Sequence, residues 1–365
     1  MSAAYVVKQI AEEFGKHETN QVELVMENLH LFSNGIFSNV YKGLLRYPQH
    51  RLIAVKKSWS DQSELVFGLE ESMEVQILMM LNRMHHKNIV QLLYKFSQSY
   101  PDQKICTALV FEFFPMNLYE VRERYGPLSI LDIKLYIWQL FRGQAHLEKN
   151  NVCHRDIKPQ NLLVDHKSGM LKITDFGSSK IIHDKATTSH HYHVTRYYRA
   201  PELILGSIRY RCEIDRWSCG CVFGELLKNH VLFPGQTTNQ QLRLVINILG
   251  YPSPRDIAAM RVTSEVLQSD DFRDDIMKKP NPSGFKMHKY WYITRSTAYP
   301  VHVFLKTATS VNYSIHTLNA TDNALKSFLK KILNVQLLVT KCCRNPLRQI
   351  PVKCKYFILF HNFIA

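Results

Sequence analysis

Apolar and polar residues alternate in the first third of the chain and recur at three- and four-residue spacing in the rest. Leu29 and Leu31 before Ser33-Asn34-Gly35, and Val40 and Tyr41 after it, predict a strand–turn–strand unit over residues 27–55, which ends in the β-rich run Leu52-Ile53-Ala54-Val55. Met73, Ile77, Met80 and Leu81 predict a helix over 64–81. Apolar strands are expected at 90–96 and 108–114, after which Pro115 breaks the pattern. Helices follow at 130–146, which holds Leu135, Trp138, Gln139 and Phe141, and at 214–227, 239–249 and 324–333. Residues 1–26, with Glu12, Glu13 and Lys16, read as a short helix or an extension. The expectation is an α+β chain: a small β-rich lobe with one main helix over 27–112, a connection at 112–116, and a large helical lobe over 117–335. Such an interface between lobes suits a nucleotide cleft.

Composition supports a globular chain. The 365 residues are 45% apolar and 21% charged, which excludes a disordered or fibrous protein and leaves room for two lobes with a real core. Eight cysteines form no disulfide or zinc framework, so a reducing compartment, cytoplasmic or nuclear, is expected. There is no run of 18 apolar residues and no secretory signal is expected at the N-terminus. The net charge of +15 is uneven: residues 281–365 hold twelve Lys/Arg against one acid, Asp322. That basic stretch, with 336–365 as a divergent tail, could attract anionic partners, but no nucleic-acid-binding motif accompanies it.

The densest chemical signal is His154-Arg155-Asp156-Ile157-Lys158-Pro159-Gln160-Asn161, followed by the apolar Leu162-Leu163-Val164. Its charges fit neither a helix face nor strand alternation. A carboxylate, an amine and an amide this close are the parts phosphoryl transfer needs: one to orient a hydroxyl, one to neutralise the moving phosphoryl group, one to hold a metal ion. Asp175-Phe176-Gly177 follows the strand-like Leu171-Lys172-Ile173; its acid can hold Mg²⁺ and its glycine permits a sharp turn.

With Ala200-Pro201-Glu202, these motifs in this order resemble eukaryotic protein kinases. The finer resemblance is to the glycogen synthase kinase-3 (shaggy-type) family. It is carried by Lys134-Leu135-Tyr136-Ile137-Trp138-Gln139-Leu140-Phe141-Arg142, the loop from Cys153 to Leu163, Asp175-Phe176-Gly177-Ser178-Ser179-Lys180, Arg196-Tyr197-Tyr198-Arg199-Ala200-Pro201-Glu202-Leu203-Ile204 and Phe233-Pro234-Gly235. The resemblance implies a bilobal Ser/Thr protein kinase that uses ATP and Mg²⁺ on protein substrates. It implies that Asp156 accepts the proton of a hydroxyl and that Lys158 stabilises the transferred group. Asn161 and Asp175 would hold the metal. Lys56 would pair the α/β-phosphates, held by Glu74, with Glu70 and Glu71 as rivals. Val40, Ala54 and Leu163 would enclose adenine, Phe111 would guard the back of the pocket, and Glu112, Phe113 and Phe114 would form the hinge. Tyr192 would be an activation-loop phosphorylation site, with Arg196 and Arg199 to pair it. Arg155 and Lys180 would bind a substrate phosphate, or else pair with the activation loop. Glu202 and Asp215 would be structural.

Departures from the family pattern raise the alternative of a pseudokinase, a binding or scaffold module with little turnover. Three phosphate-loop glycines are reduced to Ser33, Gly35 and Ser38, which predicts weaker ATP binding by about 1–3 kcal/mol. The third cation of the substrate-phosphate pocket is Met73, so dependence on a primed substrate is weakened. Gln240 and Leu244 replace acids on the helix that would dock family scaffold proteins. Beyond Met260 the match nearly dissolves, the stretches 290–320 and 334–344 read as insertions, and Arg348 is the candidate partner for Glu202.

Overall fold

The computed structural model describes residues 5–14, 19–35, 38–61, 72–101, 104–182, 195–249, 252 and 254–262. All belong to the first of the two units into which the chain divides, Met1–His288. The small lobe is built from β1 (Val6–Phe14), β2 (Thr19–Asn34), β3 (Ser38–Tyr47), β4 (Arg51–Asp61), β5 (Leu92–Ser99) and β6 (Lys104–Glu112). The strands run antiparallel in the order β1-β2-β3-β4-β6-β5, and β1 pairs β5 to close a barrel. Period-two alternation explains the core: Leu24 and Met26, Ile53 and Val55, Tyr94 and Phe96, Ala108 and Val110 point inward and pack with Ala11 and Leu45. Closure leaves no free sheet edge among these strands.

The leading segment differs from the sequence reading. Residues 6–14 are strand, not helix, and the boundary drawn at residue 27 falls inside β2. Glu12 and Glu13 imitate a helix face only in one dimension. In the barrel they stand opposite Gln21 and Asn20, and Glu12 lies 3.8 Å from Lys95 of β5.

One helix, α1 (Met73–Met84), packs Val75, Ile77, Leu78 and Leu81 beneath the barrel. The side chain of Ser72 caps it, accepting from the Val75 amide at 3.4 Å. The part of the expected helix before residue 72 lies outside the described residues.

The chain then enters the large lobe. β7 (Met116–Asn117) leads into α2 (Leu118–Tyr125), which the apolar pattern did not signal because this helix is mostly polar. Its marker is a capping box: Glu120 N–H donates to the Asn117 side chain at 2.9 Å, and Asn117 N–H donates to the Glu120 carboxylate at 2.8 Å. The long α3 (Ile130–Lys149) starts at the Ser129 cap. The strands β8 (Val152–Cys153), β9 (Leu162–Asp165), β10 (Met170–Ile173) and β11 (Lys180–Ile181) form two small sheets, β10-β9-β7 and β11-β8. After them come α4 (Pro201–Ile204), α5 (Glu213–Lys228), α6 (Thr238–Leu249) and α7 (Pro254–Ala259). α5 is buried from Ile214 to Leu226, all round rather than along one stripe, so it is the axis of this lobe. The architecture is α+β and bilobal, as the sequence predicts. The expected helix at 324–333, Arg348 and the tail lie outside the described residues. Among the described residues no helix is long and apolar enough to cross a membrane.

Because Leu24 is fully buried in the barrel, Leu24→Ala should lower the unfolding free energy by about 2–5 kcal/mol in chemical denaturation. A loosely attached extension would show no change.

Candidate active site

Between the lobes lies a cavity of about 260 Å³. Its roof is Phe32, Ser33 and Ser38 with Val40 and Ala54; its floor includes Leu163; its back is Phe111, Glu112 and Phe114; and its polar end gathers Lys56, Glu74, Asn161 and Asp175. All but Phe32 are residues the sequence singled out, brought to one place from five strands, one helix and three connecting segments. Phe113, Asn117, Glu120, Gln160 and Thr174 also line it. Gly35 does not: it sits in the β2–β3 turn, where its N–H donates to the Ser38 carbonyl at 2.9 Å. A Cβ there would stand 2.9 Å from that same oxygen, so the hairpin requires glycine.

Lys56 is the organising cation. Its Nζ donates to Glu74 Oε1 at 2.6 Å and to Asp175 Oδ1 at 3.0 Å. Glu74 is therefore the helix carboxylate; Glu70 and Glu71 lie outside the described residues. Burial opposes the charge on Lys56, but the two carboxylates outweigh it and hold the ammonium above the ordinary lysine value. The reverse holds for Asp175: burial raises its carboxyl, Lys56 lowers it, and the net direction is down. Both partners are charged at neutral pH. The sharp turn expected of the glycine is made by Asp175 itself, which adopts a left-handed backbone (φ 64°), while Gly177 lies without a positive φ in the single 3-10 turn Phe176–Ser178.

The catalytic-type loop is held from beneath. The buried Asp215 of α5 accepts from the backbone N–H groups of His154 at 2.7 Å and Arg155 at 2.8 Å. This stabilises the left-handed conformation of Arg155 (φ 67°). The His154 ring meets the Thr174 carbonyl at 2.9 Å and packs edge-on against Phe176 at 5.0 Å, tying this loop to the Asp175 turn. Asp156 is then oriented from both sides. Its Oδ2 accepts from Lys158 Nζ at 2.6 Å and Asn161 Nδ2 at 2.9 Å; its Oδ1 accepts from the Thr195 hydroxyl at 2.8 Å. Because Asn161 spends its NH₂ on Asp156, its carbonyl oxygen remains to face the cavity. An amide oxygen and a carboxylate are hard oxygen donors, and they fit Mg²⁺.

Thr195 is a member of this network that sequence reasoning did not identify. It also accepts from Lys158 at 3.2 Å, so one hydroxyl joins the segment before Arg196 to both catalytic candidates. A second unanticipated link is buried: Glu225 of α5 accepts from the Tyr198 hydroxyl at 2.6 Å and pairs with Arg122 of α2. It connects the helix beside the cavity to the segment following Thr195.

The candidate phosphate-binding pair is less exposed than the sequence suggests. The Arg155 guanidinium donates to the Ser178 carbonyl at 2.5 Å and to the Tyr210 hydroxyl at 3.4 Å. Lys180 stands opposite Cys153 in the β8–β11 pair, two residues from Arg155. Met73 is exposed at the first position of α1. Tyr192 lies outside the described residues.

Comparison with known proteins places the chain among protein kinases. The family model described as protein kinase domain matches residues 26–337. The chain is similar to the gskl-1 protein of Caenorhabditis elegans, at 38% identity over 67% of this chain and 66% of the relative. It is similar to glycogen synthase kinase 1 of Pyricularia oryzae, at 38% over 63% and 57%. It is also similar to the serine/threonine-protein kinase RIM11/MSD1 of Saccharomyces cerevisiae, at 39% over 66% and 63%. The matched region spans less than two thirds of each relative's length.

Glu202 carries a pH dependence. It is buried, its Oε2 has no partner among the described residues, and burial, with Glu213 adding, pushes its carboxyl up to about 7. Unfolded, the group titrates near 4.3. Its protonation therefore favours the folded state, and that contribution is lost as pH rises from about 4.3 through 7. His86, held down to about 4 by burial, acts oppositely, so the readout is the difference between wild type and Glu202→Gln. That difference should grow in favour of the variant by roughly 3 kcal/mol between pH 4 and pH 8 in denaturation curves. A pH-independent difference would show that Arg348 or another cation pairs Glu202.

Proposed function

This chain belongs to the protein kinase domain family, and we propose that it is a serine/threonine kinase of glycogen synthase kinase-3 type, transferring the γ-phosphoryl group of ATP to protein hydroxyls. The observation that carries the reading is the convergence of Lys56, Glu74, Asn161 and Asp175 at one end of the cleft, with Asp156 and Lys158 joined to them through the Asn161–Asp156 hydrogen bond. Adenine would meet the backbone of residues 112–114, between Val40 and Ala54 above and Leu163 below. Lys56, fixed between two acids, would contact the α/β-phosphates.

Asp156, its carboxylate held by three donors, would take the proton as the substrate hydroxyl oxygen bonds to the γ-phosphorus and the bond to the ADP oxygen breaks. Lys158 would neutralise charge on the moving group. Mg²⁺, when bound by Asn161 and Asp175, would screen the phosphates. Thr195 keeps Asp156 aimed at the hydroxyl. No observation favours a non-catalytic scaffold. Ser33 and Ser38 line the roof, and their hydroxyls can replace part of what backbone contacts supply at glycine.

For substrates, we read a weakened preference for peptides already carrying a phosphate, because Arg155 and Lys180 act without a third cation at Met73. The relatives' names support the glycogen synthase kinase type, and the composition supports a cytosolic or nuclear setting. Scaffold proteins remain candidate partners, with docking through α6 weakened by Gln240 and Leu244 in place of acids.

Radiolabel transfer from Mg-ATP to a Ser/Thr peptide tests the reaction. Asp156→Asn should reduce transfer at least a thousandfold while ATP still raises the melting temperature; unchanged transfer would remove Asp156 from its role. Met73→Arg should raise the primed-over-unprimed ratio of kcat/KM about tenfold, the worth of one charge-assisted hydrogen bond. An unaltered ratio would place the substrate phosphate elsewhere.

A further inference from the structure

Helix α3 carries an outward stripe that the described fold leaves uncovered. Leu131 is 73% exposed, Leu135 41% and Trp138 37%, at four- and three-residue spacing. The same face continues through Arg142, Ala145 and Lys149, a length of about 27 Å at 1.5 Å per residue. The Arg142 guanidinium lies over the Trp138 ring at 4.6 Å. The surface is continuous with its neighbours. Leu135 abuts Gly169 in the β9–β10 turn, where an added Cβ would stand 2.7 Å from Leu135 Cδ2. His166 of that turn packs against Tyr125 of α2 at 4.7 Å.

Apolar residues at this spacing ordinarily face a core. Here the inward face of α3 is already filled by Ile133, Tyr136, Ile137 and Leu140, so the outer stripe is a second one. An exposed Trp with a stacked Arg, flanked by Leu and Tyr, has the composition of a binding hot spot.

Charge decides the occupant. The stripe bears Arg142 and Lys149, with Arg124 and Lys167 at its margins, and no acid among the described residues of that face. The bordering acids Asp132 and Asp165 stay charged, although Asp132 accepts from Ser129 and Asp165 from Ser168 and the Lys167 amide, and Glu148 is paired with Arg216 at 2.7 Å. The four cations Arg124, Arg142, Lys149 and Lys167 outnumber the two acids Asp132 and Asp165. Residues 281–365 of the same chain, with twelve cations against one acid, would be repelled. A second copy of the stripe would bring like charge against like. We infer that the outer face of α3 docks an acidic amphipathic segment of another protein, its apolar residues meeting Leu131, Leu135 and Trp138 and its carboxylates meeting Arg142 and Lys149. Such a site would recruit a partner without passing through the catalytic cleft.

The test uses the full chain and a fluorescent 20-residue helical peptide with Leu along one face and Glu beside it. Anisotropy should report saturable binding. A Lys-for-Glu peptide and one with its Leu positions scrambled should each bind at least tenfold more weakly. Leu131→Asp and Arg142→Glu should each weaken the Glu peptide at least tenfold, with the melting temperature and transfer to a short peptide unchanged. Absence of saturable binding, equal binding of the Lys peptide, or undiminished binding to Leu131→Asp would overturn the proposal. So would concentration-dependent self-association of the wild type that Leu131→Asp abolishes, which would assign the face to a second copy. Because binding is read without turnover, its failure leaves the catalytic reading untouched, and loss of catalysis leaves the docking reading untouched.

Discussion

One ammonium held between two carboxylates sets the geometry of the cleft. Lys56 belongs to the barrel, Glu74 to the helix beneath it, and Asp175 to a turn of the large lobe. The strand and the helix follow one another in the chain while the turn lies 119 residues beyond Lys56, yet each must be placed to within hydrogen-bond reach for the charge to be satisfied. A buried lysine lacking either acid would face the full cost of desolvation, so the pairs are a condition on how barrel, helix and turn sit together. Adding the third element also gives the site its charge state: the two acids keep the amine protonated, and the amine keeps Asp175 ionised.

The large lobe meets the same demand from below with a different device. Asp215 spends its carboxylate on two backbone amides and so fixes a loop, not a side chain. That loop presents Asp156, and three donors from Lys158, Asn161 and Thr195 set the direction of its carboxylate. Preorganisation here is layered: a buried acid holds the backbone, the backbone places an acid, and surrounding donors aim it. Tyr198 and Arg122, both on Glu225, extend the same framework to α2 and to the segment after Thr195.

What was legible in the sequence follows from this division. Residues whose chemistry lies in a compact run, such as Asp156, Lys158, Asn161 and Asp175, could be named because their types have no explanation in periodicity. Glu74 was separable from Glu70 and Glu71 only by geometry, since all three precede the same apolar face. Thr195 was hidden because a lone hydroxyl has many bland uses. α2 was missed by its polarity although Asn117 and Glu120 encode its start, and β1 was misread because paired glutamates look alike on a helix and a strand. The strands β2 to β6 and the helices α3, α5 and α6 were visible because their burial imposes a period or a continuous apolar run.

The nucleotide roof shows how a lost feature can be offset elsewhere. Glycine at a phosphate loop lets backbone amides approach closely, and this chain keeps only Gly35, whose own amide is committed to Ser38. The roof is instead fastened at its other end. Phe32 meets Phe113 of the hinge edge-on at 5.4 Å, and Lys42 of β3 lies over the Phe113 ring at 4.5 Å. These contacts bind both strands of the hairpin to the segment that would face adenine. Each is worth on the order of 1 kcal/mol, comparable with a lost backbone contact to phosphate. If the cleft takes ATP as proposed, these contacts would steady its roof at the base end without adding a contact to phosphate. Alignment of a terminal phosphate would then rest more heavily on Lys56, Lys158 and the oxygen donors Asn161 and Asp175.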